Sequence, residues 1–335
     1  MKILFITSSR LGDAVLSTSI LHTLEKHDKN LDVTIVSGSL PANLFKAIPF
    51  CKKIIVMKKK SFSRHWFQLW RKVYRSKWDM IIDLRGSLIS YTLRSSVRIR
   101  WRACSFDKGH QVERLQQMIA ASRAKISELA APKLWLDPVH VAKAKSILTS
   151  PTLAVAPTAN WVGKQWPSQY YIEILEKFLK TYPEADALLV AAPHESAVVK
   201  TIQQSLESPR IKILLSADLP YVAAALGQCD VFLGNDSGPM HMAAALNIPT
   251  LGLFGPSDDT RYGPYGPNNK ILRIPQKLNE LEQTPGFSYQ GSTCYMEGLK
   301  PDDVWNALSN LWESMHAKVT QLADIAVWSK SQGVS

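Results

Sequence analysis

Four segments rich in glycine and small polar residues carry the side chains most able to do chemistry, and each follows a short apolar run. The first is TSSRLGDAV at 7–15, where Gly12 permits a tight turn and Asp13 stands at the start of a helical pattern. A carboxylate here could project into a cleft and act as a general base. It could instead be the N-cap of the helix, worth ~1 kcal/mol, and this segment alone leaves both interpretations open.

The second segment is APTANWVGKQWP at 156–167. Thr158 and Asn160 offer side-chain donors, and Gly163 bends the chain toward Lys164. A lysine between a strand and the next helix is well placed to bind a phosphate as a point charge. The alternative is a surface lysine beside a packed tryptophan.

The third segment, AAPHES at 191–196, places Glu195 directly after a strand. Its carboxylate could accept hydrogen bonds from ribose hydroxyls or an adenine amine. The alternative is a first-turn glutamate that the helix dipole stabilises.

The fourth segment, FLGNDSGPMHMAAALNIPTLGLFGP at 232–256, is the most informative. A strand ends near Asp236, and Ser237 and Gly238 open a helix whose backbone N–H groups would form an anion site. His241 lies one turn along, on a face that could point to the cleft. So many glycine, proline and small polar residues are costly in a purely structural element, so this segment predicts a binding function.

The positions of these segments predict an α/β protein with two Rossmann-like domains facing each other across a cleft. Short β-rich runs alternate with helical patterns, and the pattern restarts after Ser150. We expect an N-terminal domain over 1–150, a C-terminal domain over 151–315, and a final helix at 316–335 that joins the first domain. The predicted strands are 2–7, 32–38, 53–57, 79–86, 152–157, 185–193, 210–216, 230–236 and 249–255, and the predicted helices include 13–26, 169–181, 194–206 and 301–328.

Composition narrows the class of protein. The chain has 335 residues, 46% hydrophobic and 20% charged, which suits a globular protein and excludes a collagenous or disulfide-scaffold chain. We expect no membrane-spanning segment, no signal peptide and reduced cysteines in a cytosolic protein.

The first segment has neither a GxGxxG nor a Walker A pattern, which disfavours a nicotinamide dehydrogenase or a P-loop kinase. Asp258-Asp259 and Asp302-Asp303 are adjacent pairs rather than a spaced DxD, so neither a metal nor a cofactor is expected.

The net charge of +12 is unevenly distributed. Residues 1–150 hold 27 Lys+Arg against 10 Asp+Glu, whereas residues 151–335 hold 13 against 18. The first half should therefore face an anionic partner, unless its charge serves only solubility. Aromatic residues recur every four positions between Phe62 and Trp78 with basic residues interleaved, which predicts an amphipathic helix. That helix could dock on an anionic membrane, or its aromatic stripe could be the core face of a domain helix.

Taken together, these segments resemble glycosyltransferase family 9, the lipopolysaccharide heptosyltransferases. The resemblance implies a GT-B fold and an inverting, metal-independent transfer of L-glycero-D-manno-heptose from ADP-heptose to the lipopolysaccharide inner core. It covers nearly the whole chain, through SSRLGD (8–13), WDMIIDLRG (78–86), KQWP (164–167), PHE (193–195), NDSGPMHMAAALNIPTLGLFGPSD (235–258) and CYMEGLKPDDV (294–304).

The resemblance also implies roles for single residues. Asp13 matches the catalytic base, and the remaining matched positions would bind the donor. Two departures from the family's pattern are Asn160-Trp161-Val162-Gly163, where paired hydroxyls or acids are common, and Ser237 in place of threonine. The donor-binding candidates are Thr158, Asn160, Lys164 (diphosphate), Glu195 (nucleoside), Asp236 (sugar or ribose), Ser237 and Gly238 (phosphates), and His241.

A lipopolysaccharide acceptor carries phosphates and Kdo carboxylates on a membrane-embedded lipid, which would give the basic first half its partner. The acceptor-binding candidates are Arg64, Arg85, Arg98, Arg100 and Arg102. We expect a cytoplasmic protein bound peripherally to the inner membrane, with no nucleic-acid partner. The alternatives are a family member with another nucleotide sugar or acceptor, a nucleotide-sugar epimerase of the same fold, or an inactive sugar-nucleotide-binding subunit.

Overall fold

Two parallel β-sheets follow one another along the chain. They are seen in a computed structural model that describes residues 1–59, 61–101, 108–122, 126, 128–288 and 291–331, without the side chains of Phe62 and residues 318–331. Both sheets carry helices between successive strands, as parallel pairing requires. The α/β class with two Rossmann-like sheets is therefore confirmed.

The first sheet has five parallel strands in the order β3-β2-β1-β4-β5. Its central strand reads KILFI and is almost fully buried, which is typical of a strand covered on both faces. The arginine-rich strand β5 was not predicted, because its side chains alternate between charged and apolar with little burial. The strands are β1 (Lys2–Ile6), β2 (Asp32–Ser37), β3 (Cys51–Val56), β4 (Lys77–Asp83) and β5 (Arg94–Arg100).

Helices cover both faces of this first sheet. One face is covered by the helix after β1 and the helix after β5, through Ile20, Leu24 and Leu115. The opposite face is covered by two shorter helices, through Leu69 and Ile89. The helices before β6 are α1 (Leu11–His27), α2 (Arg64–Val73), α3 (Ile89–Thr92), α4 (Gln111–Ala120) and α5 (Pro138–Lys145), with 3-10 turns at 41–47 and 61–63. Of these, α5 packs through Ala144 on the core of the second lobe.

The second sheet has six parallel strands in the order β11-β10-β9-β6-β7-β8. Strand β11, the last one along the chain, was not predicted. The strands are β6 (Thr152–Ala156), β7 (Asp186–Ala191), β8 (Ile211–Leu215), β9 (Val231–Asn235), β10 (Thr250–Phe254) and β11 (Lys270–Arg273). The helices are α6 (Ser168–Thr181), α7 (Ser196–Leu206), α8 (Leu219–Leu226), α9 (Gly238–Ala245), α10 (Asp259–Tyr262), α11 (Leu278–Glu282) and α12 (Pro301–Ser331), with 3-10 turns at 162–164 and 193–195.

The C-terminal helix packs on the second lobe where its side chains are described. Trp312 meets the ring of Phe178 edge to face, with centroids 4.7 Å apart. The prediction that residues 316–335 join the first domain concerns side chains that lie largely outside the described residues, so it stays a prediction. The domain boundary between 150 and 151 falls between α5 and β6, and we retain it as a proposal.

The predicted aromatic helix from Phe62 to Trp78 is wrong in its extent. Helix α2 ends at Val73, and Trp78 lies in β4 with 2% of its surface exposed. Trp66, Trp70 and Tyr74 are half-buried against the first sheet, so the aromatic stripe is mainly a core face. No helix within the described ranges has the length and apolar character needed to cross a bilayer.

Candidate active site

The N-termini of α1 and α9 meet where the two lobes touch. A Cβ atom on Gly12 would lie 2.6 Å from Cδ2 of His241, and one on Gly238 would overlap the side chain of Leu11. Only glycine tolerates such close approach. These two glycines therefore let the loop after β1 lie directly against the loop after β9.

Asp13 is the third residue of α1, at the carboxyl edge of the first sheet. The N-cap of the helix is Arg10 and no side chain caps it, so the N-cap interpretation of Asp13 is wrong. Its carboxylate is partly exposed and accepts a hydrogen bond from Ser8 Oγ at 3.3 Å. The carboxylate is thus held near the boundary between the lobes without being used for capping.

Lys164, Asp236 and His241 form a compact polar group in the second lobe. Lys164 Nζ is ion-paired with Asp236 Oδ2, and His241 Nε2 lies 3.9 Å from Asp236 Oδ1. The lysine side chain keeps 23% of its surface exposed while the aspartate keeps 9%. The lysine side chain is therefore the more accessible member of the pair.

His241 is buried, with 5% of its surface exposed. Burial lowers the pKa of His241 more than the neighbouring Asp236 carboxylate raises it, so the ring is neutral at pH 7. Neither His241 Nδ1 nor Ser237 Oγ has a hydrogen-bond partner among the described residues. Leaving such buried atoms unsatisfied costs about 1–3 kcal/mol each, which marks both as candidates for ligand contacts.

Asn235 is a site residue that the sequence analysis missed, although it lies inside the fourth segment. Its side chain is fully buried at the end of β9. Asn235 Oδ1 accepts hydrogen bonds from the Trp166 backbone N–H at 3.1 Å and the Tyr171 hydroxyl at 3.0 Å. Asn235 Nδ2 donates to the Pro157 carbonyl at 2.9 Å. This amide ties the loop that carries Lys164 to the strand that precedes Asp236.

The other donor candidates are not all brought to this group. Thr158 is buried after β6, and Asn160 is exposed on the same loop. Glu195 Oε2 accepts a hydrogen bond from the Ala192 N–H at 2.9 Å and closes its own 3-10 turn. Glu195 follows β7, two strands from β9 along the same edge, hence about 10 Å away at ordinary strand spacing.

The acceptor candidates that the structure describes lie on the first lobe, and two of them bond to main-chain carbonyls of that lobe. Arg98 Nε and Nη2 donate to the carbonyls of Ser90 and Leu93 at 2.6 and 2.8 Å. Arg100 donates to the carbonyls of Gly86 and Ser87, and so both arginines fix segment 86–93. The Arg85 guanidinium lies 5.8 Å from the Trp66 ring centroid, Arg64 is exposed at the start of α2, and Arg102 lies outside the described residues.

A second bridge between the lobes was not foreseen from the sequence. His110 Nε2 lies 2.9 Å from the Gly263 carbonyl, and Arg261 Nε donates to Gln111 Oε1 at 3.2 Å. Burial lowers the pKa of His110, and its Nδ1 accepts from the Val112 N–H. The neutral ring therefore donates from Nε2 to Gly263. Burial raises the pKa of Tyr262, the last residue of α10, and the Asp13 carboxylate of the first lobe raises it further.

Two cavities lie away from this group. One, of about 230 Å³, opens at the carboxyl end of β3 and is lined partly by Lys58, His65, Gln68 and Lys72. The other, of about 260 Å³, lies near Asn247, Asn269 and Met315. Within the described residues, no group of three or more His, Cys, Asp or Glu side chains could hold a metal ion.

The arrangement joins a carboxylate from one lobe to a lysine, a hydroxyl and a helix N-terminus from the other. Such a pairing can remove a proton on one side of a cleft and stabilise a phosphate leaving group on the other.

Known proteins match this chain over most of its length. The family model "Glycosyltransferase family 9 (heptosyltransferase)" matches residues 66–288. Lipooligosaccharide heptosyltransferase 2 of Campylobacter jejuni is 26% identical over 332 residues, covering 94% of this chain and 100% of that protein. Lipopolysaccharide heptosyltransferase 2 of Salmonella typhimurium is 22% identical and covers 93% and 98%.

Solved structures share the fold. ADP-heptose LPS heptosyltransferase II of Escherichia coli superposes with a TM-score of 0.74 at 20% identity, covering 94% of this chain and 100% of that one. The family 9 glycosyl transferase of Veillonella parvula gives 0.78 at 16% identity, covering 93% and 97%. The predicted GT-B fold is thus confirmed.

Proposed function

The chain belongs to glycosyltransferase family 9, and from this premise we propose that it transfers L-glycero-D-manno-heptose from ADP-heptose to the inner core of lipopolysaccharide. The curated relatives carry lipooligosaccharide or lipopolysaccharide heptosyltransferase in their names. One observation carries the proposal: Gly12 packs on His241, which neighbours Asp236, which is paired with Lys164. A potential base and a potential phosphate cradle therefore share one boundary between the lobes.

Asp13 acts as the general base in this proposal. The acceptor hydroxyl attacks the anomeric carbon from one side, its proton passes to the Asp13 carboxylate, and ADP leaves from the opposite side. A single displacement of this kind inverts the anomeric configuration. Asp13 suits the role because it stands at the carboxyl edge of its sheet, on the side that faces the second lobe.

The second lobe stabilises the leaving group. Negative charge develops on the diphosphate as the bond to the sugar breaks, and Lys164, Ser237 and the N-terminal N–H groups of α9 would meet it. Asp236 would hold Lys164 until the diphosphate binds and would then contact the sugar or the ribose. Glu195 would bind the nucleoside farther along the edge. We expect no metal requirement, since the cation here is a lysine.

The first lobe binds the acceptor. The excess of Lys and Arg over Asp and Glu in residues 1–150 favours an acceptor that carries phosphates and carboxylates. The candidates Arg64, Arg85, Arg98, Arg100 and Arg102 would contribute to this field, together with the cavity lined by Lys58 and Lys72. We further propose that the protein works at the cytoplasmic face of the inner membrane, where such a lipid acceptor would be presented.

The test is an incubation of the purified chain with ADP-heptose and defined truncated core acceptors, read by mass spectrometry. Addition of one heptose to the acceptor, unchanged by a chelator, is the expected result. ADP-, UDP- and GDP-hexoses serve as competing donors. Transfer from one of these but not from ADP-heptose would replace the donor assignment, and release of UDP without any acceptor would indicate the epimerase alternative.

A further inference from the structure

Three large apolar side chains are exposed on one face of the first lobe. Phe67 on α2, Leu88 before α3 and Tyr91 on α3 keep 62%, 76% and 52% of their surface exposed. Both helices pack on the same face of the first sheet, through Leu69 and Ile89. The outer sides of α2 and α3 therefore belong to one surface of the molecule.

Arginine side chains contact an aromatic ring on each of the two helices. The Arg85 guanidinium lies over the ring of Trp66, the neighbour of Phe67 in α2. Arg100 then bonds the Gly86 carbonyl and lies 5.0 Å from the centroid of the Tyr91 ring. An arginine therefore lies against a ring on each helix, Arg85 on α2 and Arg100 on α3, so cationic and apolar groups lie side by side on this surface.

This surface is strongly cationic. On α2, Arg64 and Arg71 are exposed at three and four residues from Phe67, which places them beside its ring. Residues 58–102 contain 13 Lys and Arg but only Asp79 and Asp83 as acids, and Asp83 is buried. Among the described residues of this stretch, no Lys or Arg takes part in an ion pair.

We propose that Phe67, Leu88 and Tyr91, with the arginines around them, form a docking surface that inserts into an anionic phospholipid bilayer. Apolar tips within a ring of arginines match the two layers of such a bilayer, acyl chains below and phosphates above. Arginine also binds phosphate with paired donors. A protein partner would need complementary shape, whereas a bilayer needs only this vertical order of apolar and cationic groups.

The position of the docking surface suits the proposed function. Only the purpose of docking rests on that function, and the docking itself does not. Segment 84–88 leaves the carboxyl end of β4, and β4 is the neighbour of β1. Asp13 follows β1 at the same edge of the sheet. A bilayer bound to this surface would therefore hold a lipid-linked acceptor beside the lobe boundary where Asp13 stands.

The experiment measures sedimentation of the full chain with vesicles that contain no lipopolysaccharide. One set is phosphatidylethanolamine with phosphatidylglycerol, and the other is phosphatidylcholine alone. Binding to the anionic set only, weakened by salt, is expected. Leu88→Glu and Phe67→Glu should each weaken binding about tenfold or more, because each removes one inserted apolar side chain.

Val139→Glu is the matched control. Val139 is 75% exposed on α5, which packs on α8 of the second lobe, and Asp137 lies beside it. This variant should sediment as the wild type does. All variants should also turn over a water-soluble truncated acceptor at the wild-type rate, since Leu88 and Phe67 have no part in the proposed chemistry.

The proposal is overturned if the wild type ignores anionic vesicles, if Leu88→Glu still binds, or if Val139→Glu loses binding equally. A wild-type dimer that Leu88→Glu converts to a monomer would also overturn it, by assigning the surface to a second copy of the chain. Because vesicle binding is measured without any sugar donor, absence of heptose transfer would refute the proposed function and leave the docking result standing.

Discussion

The carboxyl edges of the two sheets are organised in opposite ways. In the second lobe, Lys164, Asp236 and His241 are drawn together and locked by the buried amide of Asn235. In the first lobe, Asp13 stands partly exposed, and the cationic side chains Arg98 and Arg100 of β5 bond to the main chain of segment 86–93. A small polyanionic donor benefits from a rigid cradle, whereas a large acceptor on a membrane needs an open surface.

The charge of each lobe adds to this difference. The first half of the chain is strongly basic, whereas the second half has more acids than bases. Within that acidic lobe the lysine of the site is nevertheless held beside a nearly buried carboxylate. In the proposed function the second lobe would bind its ligand through a specific local contact and the first through a broad electrostatic field, which salt screens more strongly.

The strongest way to test this division is Asp13→Asn. The change removes the proposed base and keeps the size of the side chain, so the rate of transfer should fall about 10²–10⁴-fold. Donor affinity, measured by calorimetry with ADP, should stay near the wild-type value because the cradle lies in the other lobe. Asp79→Asn, which alters a carboxylate that bonds the Lys2 N–H, should keep full activity. Retention of most activity by Asp13→Asn would refute the base assignment.

Lys164→Ala tests the cradle against an almost identical ion pair in the same lobe. Loss of the leaving-group cation should reduce the rate about 10²–10³-fold and weaken ADP binding. Lys212 pairs with Asp186 at 2.8 Å, with 27% and 10% of the two side chains exposed, so Lys212→Ala removes an equivalent pair. That pair lies at the amino end of the strands, and its loss should lower the melting temperature without changing ADP affinity. Equal effects on ADP binding would mean that Lys164 has no special role.

Gly12→Ala tests whether the lobes must touch. The added methyl would lie 2.6 Å from Cδ2 of the buried His241, and such overpacking should destabilise the protein by about 1–3 kcal/mol. This outweighs the gain that alanine normally brings to a helix. Gly298→Ala is the control, because its Cβ would meet nothing closer than 3.5 Å. A Gly12→Ala protein with a higher melting temperature or a higher urea midpoint than the wild type would show that the contact is dispensable.

The smallest expected effect is a pH dependence of the free energy of unfolding, which comes from His110, the residue that bonds the Gly263 carbonyl. Burial holds the pKa of His110 below its ordinary value of 6.5, so the unfolded chain binds this proton first as the pH falls. The free energy of unfolding should therefore decrease between pH 7 and 5, by at most about 1.4 kcal/mol per pH unit for one proton. His241 adds a change of the same sign, since its pKa is also lowered.

Denaturant titrations of His110→Gln at several pH values measure that contribution. The variant should show a shallower loss of stability with falling pH than the wild type. His27→Gln, which alters an exposed histidine on α1, controls for the loss of an imidazole. If the free energy of unfolding of His110→Gln depends on pH as steeply as that of the wild type, the lowered pKa of His110 is refuted.

The sequence by itself determined the two parallel sheets and the loops that carry the chemistry. Buried parallel strands read as continuous apolar runs, and the turns that follow them need glycine and small polar residues, so both signals are local in the chain. For the same reason Asp13, Lys164 and Asp236 could be named as candidates from their positions, whereas their roles came from the resemblance to glycosyltransferase family 9. Strands β5 and β11 were not predicted, because their residues are only partly buried and carry charge.

The tertiary structure decided everything that depends on distant partners. It ended α2 before Trp78, turned Arg98 and Arg100 onto their own main chain, and joined His110 to a carbonyl 153 residues away. It also gave Asn235 its partners 64 to 78 residues away. A local pattern records how a segment prefers to fold, but which side chains then meet is settled by how the sheets and helices pack, and that packing is a property of the whole chain.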